Sequence, residues 1–532
     1  MATTDKPRRA TLLDRFERFG NKLPDPATLF LIGAAIVIIL SQIGASMGWS
    51  IQPVKPVSVP GETGLKLEPT GDPLNAVGLL SADGIYWMFQ NLVKNFIEFP
   101  PLGIVLVGML GIGVAERTGM MAALLKAFLY LVPASLLTPA MVFLGVMSSM
   151  GIDAGYIVLP PLAMALYKAV GRSPIVGLAA VFAGVSAGFN ANLFVTALDP
   201  MLASFSNIGA QIIDPNYAVN PAANWFFMIG STIVMTLAGW FITARFVEPR
   251  FERKPEEDGG PPPEKQDMKS VRILEPTEKS GLIAAGITFA IVFGVLLAMI
   301  LVPNWPLWGQ AEGDALPRWA RSIVPIIFLS FLLPALAYGA MAKTIRNERD
   351  AAKAMVDAMA GMAPIIVLAF FAAQFIAYFN HSNLGTMLAM WGGQALATAQ
   401  MHWMLLIVVF ILVTAVFNLF VGSMSAKYAI FAPIFVPMFM LVGISPELTQ
   451  AAYRIGDSVT NIITPLNAYL IIILVAMKKY VPKAGMGTLV STMLPYSIGF
   501  LIIWTIMLLV WMATGAPLGP DGPLRYEGVA AG

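Results

Sequence analysis

The sequence predicts an all-α polytopic membrane protein organised as an inverted-topology repeat. Three observations carry that expectation: the balance of apolar to charged residues, the alternation of long apolar runs with Lys/Arg-bearing loops, and a self-similarity between the two halves. Of 532 residues 57% are apolar and 12% charged, with a mean hydropathy of +0.74, which is too little charge to coat a soluble particle of that size. A formal charge of +2 offers no basic face to nucleic acid. Soluble enzymes, secreted scaffolds and DNA binders are therefore excluded. With no cysteine and two histidines, His381 and His402, the chain lacks a disulfide framework and the material for a thiolate or imidazole metal centre, and no cofactor is expected.

Residues 1–26 carry Lys6, Arg8, Arg9, Arg15, Arg18 and Lys22 among acids, with apolar residues at helical intervals. They read as a cytoplasmic amphipathic segment and not as a signal peptide. The first membrane half is assigned to 27–247. Its first apolar run, 27–47, crosses outward, because the stretch that follows to residue 85 holds only Lys55 and Lys66. The stretch 196–224 has no Lys or Arg and is placed outside, before an inward span from Trp225 to Val247. Residues 248–280 form a cytoplasmic linker: Arg245 to Lys279 contains eight Lys or Arg, together with Gly259, Gly260 and a run of prolines from Pro261 to Pro263, a composition that predicts flexibility. The second membrane half is assigned to 281–515. Spans at 281–302 and 322–340 lead to a cytoplasmic basic patch of Lys343, Arg346, Arg349 and Lys353, and Lys478, Lys479 and Lys483 mark the cytoplasm again. A last span near 487–513 leaves the tail, 516–532, outside. On this reading the body of the first half starts and ends outside, and that of the second starts and ends inside.

Sliding the chain against itself by 272 positions aligns Ala154, Tyr156, Pro161, Val170, Gly171, Ser173, Pro174, Ala179, Ala180, Gly184 and Ser186 with identical residues between Ala426 and Ser458, 11 matches in 33 ungapped positions. Opposite orientations combined with such a repeat place a substrate site at the membrane midplane, between the copies. Each copy also holds two polar interruptions. The first are Ser148, Ser149, Gly151 and Asp153, and Gly422, Ser423, Ser425 and Lys427. The second are Gly184, Ser186, Gly188, Asn190 and Asn192, and Gly456, Asp457, Ser458, Thr460, Asn461 and Thr464 followed by Pro465. Backbone groups freed at such breaks must face protein or a water-filled cavity.

From Gly361 to Met477 the formal charges are Lys427, Glu447, Arg454 and Asp457, and intramembrane charge is read as functional by default. Arg454 and Asp457 share a helix face and form either a structural ion pair or a recognition pair, the guanidinium for a carboxylate and the Asp for Na+ or a proton. Asp457, Ser458, Thr460, Asn461 and Thr464, with Asn418, supply the oxygens a dehydrated monovalent cation requires. Lys427 either faces substrate or snorkels to an interface. Asp199, before Pro200, is a site residue or an ordinary turn. Glu116 and Arg117 read as interfacial, and His381 as a hydrogen-bonded structural histidine. Gly184 to Gly188 spells the G-x-S-x-G pattern of serine hydrolases, but within an apolar helix it lacks catalytic company. There is no Walker-type phosphate loop.

The stretches FFAAQFIAYFNHSNLG (370–385), GSMSAKYAIFAPIFVPM (422–438), SPELTQAAYRIGDSVTNIITPLNAYL (445–470) and FPPLGIVLVGMLGIGVAERTG (99–119) resemble the p-aminobenzoyl-glutamate transporter (AbgT) family over nearly the whole chain. The resemblance implies a bacterial inner-membrane protein of the ion-transporter superfamily, with about nine transmembrane helices and two re-entrant hairpins per subunit of a bowl-shaped homodimer. It implies Na+ at Asn418 and Asp457, beside which Thr460 and Asn461 are the further candidate ligands. It places Asp199, Ser425, Tyr428, Pro446 and Arg454 along the substrate path. Tyr428 stands where the family usually has Trp; it keeps a flat face for an aminobenzoyl ring and adds a hydroxyl. The implied activity is Na+- or H+-coupled secondary transport of p-aminobenzoyl-glutamate-type compounds, with export of sulfonamide antifolates and p-aminobenzoate, or alternatively import of p-aminobenzoyl-glutamate. A passive channel is the rival from another class. Expected partners are the small-molecule substrate, membrane lipid and a second copy of the chain.

Overall fold

A computed structural model describes residues 26–58, 65–151, 154–262, 274–464, 466, 467 and 469–528. The predicted amphipathic N-terminal segment up to Asp25, Asp153, Pro465 and the middle of the linker lie outside the described residues. The chain is mostly helical, as a lipid environment demands of segments that must satisfy their own backbone. Seven helical stretches are long and apolar enough to cross a bilayer: Pro26–Ser46, Ala82–Arg117, Trp225–Glu252, Pro276–Leu301, Ile323–Met341, Ala363–His381 and Met486–Thr514. Five shorter apolar stretches, Ala134–Met150, Pro174–Ala187, Trp403–Asn418, Met424–Met440 and Tyr469–Lys478, lie between them in sequence. The external segment expected after the first span is not wholly irregular. It forms two small antiparallel pairs, β1 (Ser50–Ile51) with β4 (Leu74–Asn75) and β2 (Val54–Ser58) with β3 (Leu65–Pro69).

Pro276–Leu301 is the most lipid-like helix. Ile283, Ile287, Phe289, Ile291 and Phe293 are exposed along it, while Gly281 and Ala285 face Ile323–Met341, where a Cβ at Gly281 would lie 2.8 Å from the Tyr338 ring. Small residues at the contact let such helices approach closely.

The two stretches aligned in sequence at the offset of 272, called the copies below, share local structure. In the first, α1 (Leu137–Met147) is followed by α2 (Ala154–Ala169), α3 (Pro174–Phe182) with a π turn to Ala187, and, after a non-helical break, α4 (Leu198–Ala210). In the second, α5 (Trp403–Asn418) is followed by α6 (Met424–Met440), α7 (Pro446–Val459) and, after a break, α8 (Tyr469–Lys478). Gly171 and Gly443 turn the chain with φ of 77° and 78°, conformations that favour glycine. Ser173 then caps α3 by accepting from the Val176 N–H, Ser445 caps α7 by accepting from the Leu448 N–H, and a proline starts each helix. Helical structure ends at Ala187 and Val459, the same position of the repeat. Gly184 and Gly456 are also equivalent: a Cβ on the first would overlap the Val142 carbonyl of α1, and on the second would lie 2.6 Å from the Ile411 carbonyl of α5.

The described part of the linker departs from the expected flexible connector. Phe251 is buried, the Ser173 hydroxyl donates to the Gly259 carbonyl at 2.5 Å, and Gly259 lies against Ile175 and Val481. Arg172 adds a two-pronged ion pair to Glu248, at 2.6 and 2.7 Å. The prolines and glycines there let the chain turn back onto the base of both copies.

Candidate functional site

The broken ends of the two copies meet. Asn190, from the break after α3, donates its side-chain amide to Asp457 Oδ2 at 3.0 Å, Ser458 Oγ at 2.8 Å and the Arg454 carbonyl at 3.2 Å, all on α7. Asn461 and Asn467, in the break after α7, reach back to the Ser186 carbonyl at 3.5 Å and the Ser186 hydroxyl at 3.2 Å. That hydroxyl therefore has an amide partner and not a base. His381 stacks on Trp87 with ring centroids 3.7 Å apart, a structural placement made by ring stacking where a hydrogen bond was expected, and His402 caps α5. No hydrolase triad forms among the described residues, and no group of three or more His, Cys, Asp or Glu is placed to hold a metal.

Two buried ion pairs sit at this junction, one between the copies and one within the second. Arg454 and Asp457 do not pair with each other, although one turn separates them. Arg454 Nη2 lies 2.5 Å from Asp199 Oδ1, on α4 of the first copy, and Lys427 Nζ of α6 lies 2.7 Å from Asp457 Oδ1. Helix rotation explains the exchange: Arg454 faces α4 while Asp457 faces α5 and α6. Lys427 thus neither snorkels nor faces a cavity; its side chain is fully buried, and its ammonium also donates to Asn418 Oδ1. Asp199 also makes the local turn expected of it, Oδ2 accepting from the Thr196 N–H at 2.6 Å and hydroxyl at 2.9 Å. Pairs buried this deeply require every remaining donor and acceptor to be met. Two are not: Arg454 Nε and Asn190 Oδ1 have no hydrogen-bond partner.

Asn418, Asp457, Thr460 and Asn461, the four predicted ion ligands, are brought together. Asn418 Nδ2 lies 2.6 Å from the Asp457 carbonyl, 2.8 Å from Thr460 Oγ1 and 2.9 Å from Asn461 Oδ1.

Ser425 lines a cavity of about 200 Å³ with Ser149, Phe189, Thr196, Leu198, Met362 and Met424 among its walls. Thr196 connects this cavity to Asp199, and hence to Arg454. A mostly apolar chamber with a few placed polar groups suits a flat organic ligand. Tyr428 is not among its lining residues. It is fully buried, its ring 4.3 Å from that of Tyr453 and its hydroxyl 2.6 Å from Ser206 Oγ, so in this conformation it packs behind Ser425 and Ala429. Pro446 starts α7 two turns before Arg454, at an end where the C-terminal tail pairs Arg525 with Ile444. It supports the helix and takes no part in the ion pairs.

Sequence reasoning missed the chain behind Tyr428. Ser206 donates to Gln450 at 2.9 Å, Gln450 to Asn224 at 3.1 Å, and Asn224 to the Glu447 carbonyl at 2.9 Å, while Tyr217 donates to the Glu447 carboxylate at 2.9 Å. The signal was present in Gln450, an amide one turn before Arg454 on the same face.

The family model described as "AbgT putative transporter family" matches residues 11–526. The p-aminobenzoyl-glutamate transport protein of Escherichia coli (strain K12) is 34% identical over 506 residues, 95% of each chain. Among solved structures, the Alcanivorax borkumensis YdaH transporter, described as having an unusual topology, is similar with 38% identity and a TM-score of 0.83, covering 93% of this chain and 100% of its own. Neisseria gonorrhoeae MtrF, described as illuminating a class of antimetabolite efflux pumps, gives 42% identity and a TM-score of 0.85, covering 96% and 100%.

Proposed function

The chain belongs to the AbgT transporter family, and from that membership we propose that it is an ion-coupled secondary transporter of p-aminobenzoyl-glutamate-type compounds, exporting sulfonamide antifolates and p-aminobenzoate. The observation that carries the proposal is the pairing of Asp199 with Arg454 and of Lys427 with Asp457, which ties substrate-side and ion-side groups of both copies into one buried unit. Arg454 keeps an unpartnered Nε, a donor for an anionic or polar substrate group. Asp457 lies one turn further on α7, so occupancy at either residue bears on the other. The cavity at Ser425 takes the aromatic body of the substrate, and Tyr428 backs that wall. The 34% identical Escherichia coli protein supports the substrate class, and the efflux description of the 42% identical MtrF supports export.

Each copy contributes one half of the site, in opposite orientations by the Lys/Arg distribution, so rocking between copies exposes the site to each side in turn. The protein acts as a homodimer in a bacterial inner membrane, with its N-terminus in the cytoplasm and Na+ or H+ as the coupling ion. The test is transport of radiolabelled p-aminobenzoyl-glutamate and sulfamethazine in proteoliposomes under separately imposed Na+ and pH gradients. Uphill accumulation with one of the two gradients is expected. Flux that equilibrates equally fast without either would instead identify a passive channel.

A further inference from the structure

We propose that Lys427 is a tethered cation that keeps the Asn418 oxygen and the Asp457 carboxylate from the coupling ion and must withdraw before that ion binds, with the Asn418 amide serving one cation at a time. This rests on the ion-coupled reading above. An ammonium and a dehydrated monovalent cation ask for the same surroundings, oxygens at close range with a carboxylate among them. Lys427 Nζ has such surroundings, 2.7 Å from Asp457 Oδ1 and against Asn418 Oδ1, with both charged side chains fully buried.

The orientation of Asn418 follows from that contact, because an ammonium does not face an amide NH2 group. Its oxygen points at Lys427 and its nitrogen at the Asp457 carbonyl, Thr460 Oγ1 and Asn461 Oδ1. Two N–H groups serve three oxygens there. Thr460 donates its own proton to the Ala415 carbonyl at 3.1 Å, so the lone pairs of its hydroxyl face the amide. Half a turn of the Asn418 amide places its oxygen among those three, making a four-oxygen cage with the Asp457 carboxylate beside it. The same half turn sets the NH2 group against Lys427 and repels it. Asp457 is held from the far side meanwhile, since Asn190 donates to Oδ2 at 3.0 Å. The carboxylate therefore stays in place when its lysine withdraws.

The test is the sodium affinity of the purified full-length chain in detergent, read with radiolabelled sodium and with choline as the ionic-strength control. Lys427→Met is expected to bind sodium about tenfold more tightly or better, because apparent affinity scales with the fraction of cages that are open. Sodium, and not choline, should raise its melting temperature. Lys427→Arg keeps the charge but holds both oxygens with a planar fork, and is expected to bind sodium about tenfold more weakly. Unchanged affinity in either folded variant, or sodium binding lost in a Lys427→Met protein that melts normally, overturns the proposal. Should Lys427→Met not fold in either salt, Lys427→Arg decides alone. Failure of the transport reading shows separately, as parental proteoliposome flux indifferent to both gradients.

Discussion

Arg454 meets Asp199 through one amino group, leaving Nε free within a fully enclosed site. Exchanging it for lysine retains the charge but gives up the fork, so Arg454→Lys is expected to weaken p-aminobenzoyl-glutamate binding about tenfold or more while leaving the protein folded. Equilibrium binding and thermal unfolding separate the two effects. Arg454→Met strands Asp199 without its cation, at a cost of about 3–5 kcal/mol. Adding Asp199→Asn should recover much of that loss; strictly additive unfolding midpoints would show that the pair does not act as a unit. Tyr428 calls for the opposite separation. Its ring fills space between Tyr453 and Phe205, so Tyr428→Ala should lower stability by about 3–5 kcal/mol. Tyr428→Phe should cost about 1 kcal/mol through the lost Ser206 bond. Normal melting with lost substrate affinity in Tyr428→Ala would return the ring to direct substrate contact.

At the level of elements, the helix crossings in the two copies depend on glycine at equivalent places. Gly456→Ala pushes a methyl group to 2.6 Å from the Ile411 carbonyl and the Thr414 Cβ, and a destabilisation of about 1–3 kcal/mol is expected from such overpacking. Gly286 is the control, on the lipid-exposed helix Pro276–Leu301 with nothing within 4 Å of an added Cβ. Gly286→Ala should leave the unfolding midpoint unchanged or raise it, since alanine is favoured in helices by about 1 kcal/mol. Equal losses at the two glycines would refute the crossing argument. These crossings also mark what was legible in the sequence. Gly-x-Ser-Pro could be matched between the copies, and the structure it encodes is local: a left-handed turn, a hydroxyl cap and a proline start lie within six residues. Five of the seven long spans could be read from hydropathy to within about five residues at their ends. The partner of Arg454 could not, because it lies 255 positions away and depends on which face of α7 meets α4. Helical spacing put Asp457 nearer in sequence, and packing overrode it. The described part of the linker departs from the flexible reading for a similar reason, since its glycines and prolines describe turns as well as they describe flexibility.

Across the whole molecule, the sidedness of the two copies rests on charged loops and is open to direct measurement in a chain that has no cysteine. Glu257→Cys and Asn216→Cys place thiols at exposed positions. The first is expected to react with an impermeant maleimide from the cytoplasm and the second from outside, and the reverse pattern would invert the scheme. Gly260 is an unsuitable position because a side chain there collides with the Lys254 carbonyl.

The two ion pairs have an electrical consequence. Asp199, Arg454, Lys427 and Asp457 sum to zero charge, and they are matched pairwise. A carrier that reorients without cargo therefore moves no net charge from this centre through the membrane field, which otherwise adds about 2.3 kcal/mol per charge per 100 mV. At this centre the voltage dependence of the cycle belongs to the cargo. Current recorded from proteoliposomes on a solid-supported membrane should appear when substrate and coupling ion are added together and vanish in substrate-free exchange. A substantial capacitive transient from the unloaded protein would mean that one of the four charges crosses without its partner.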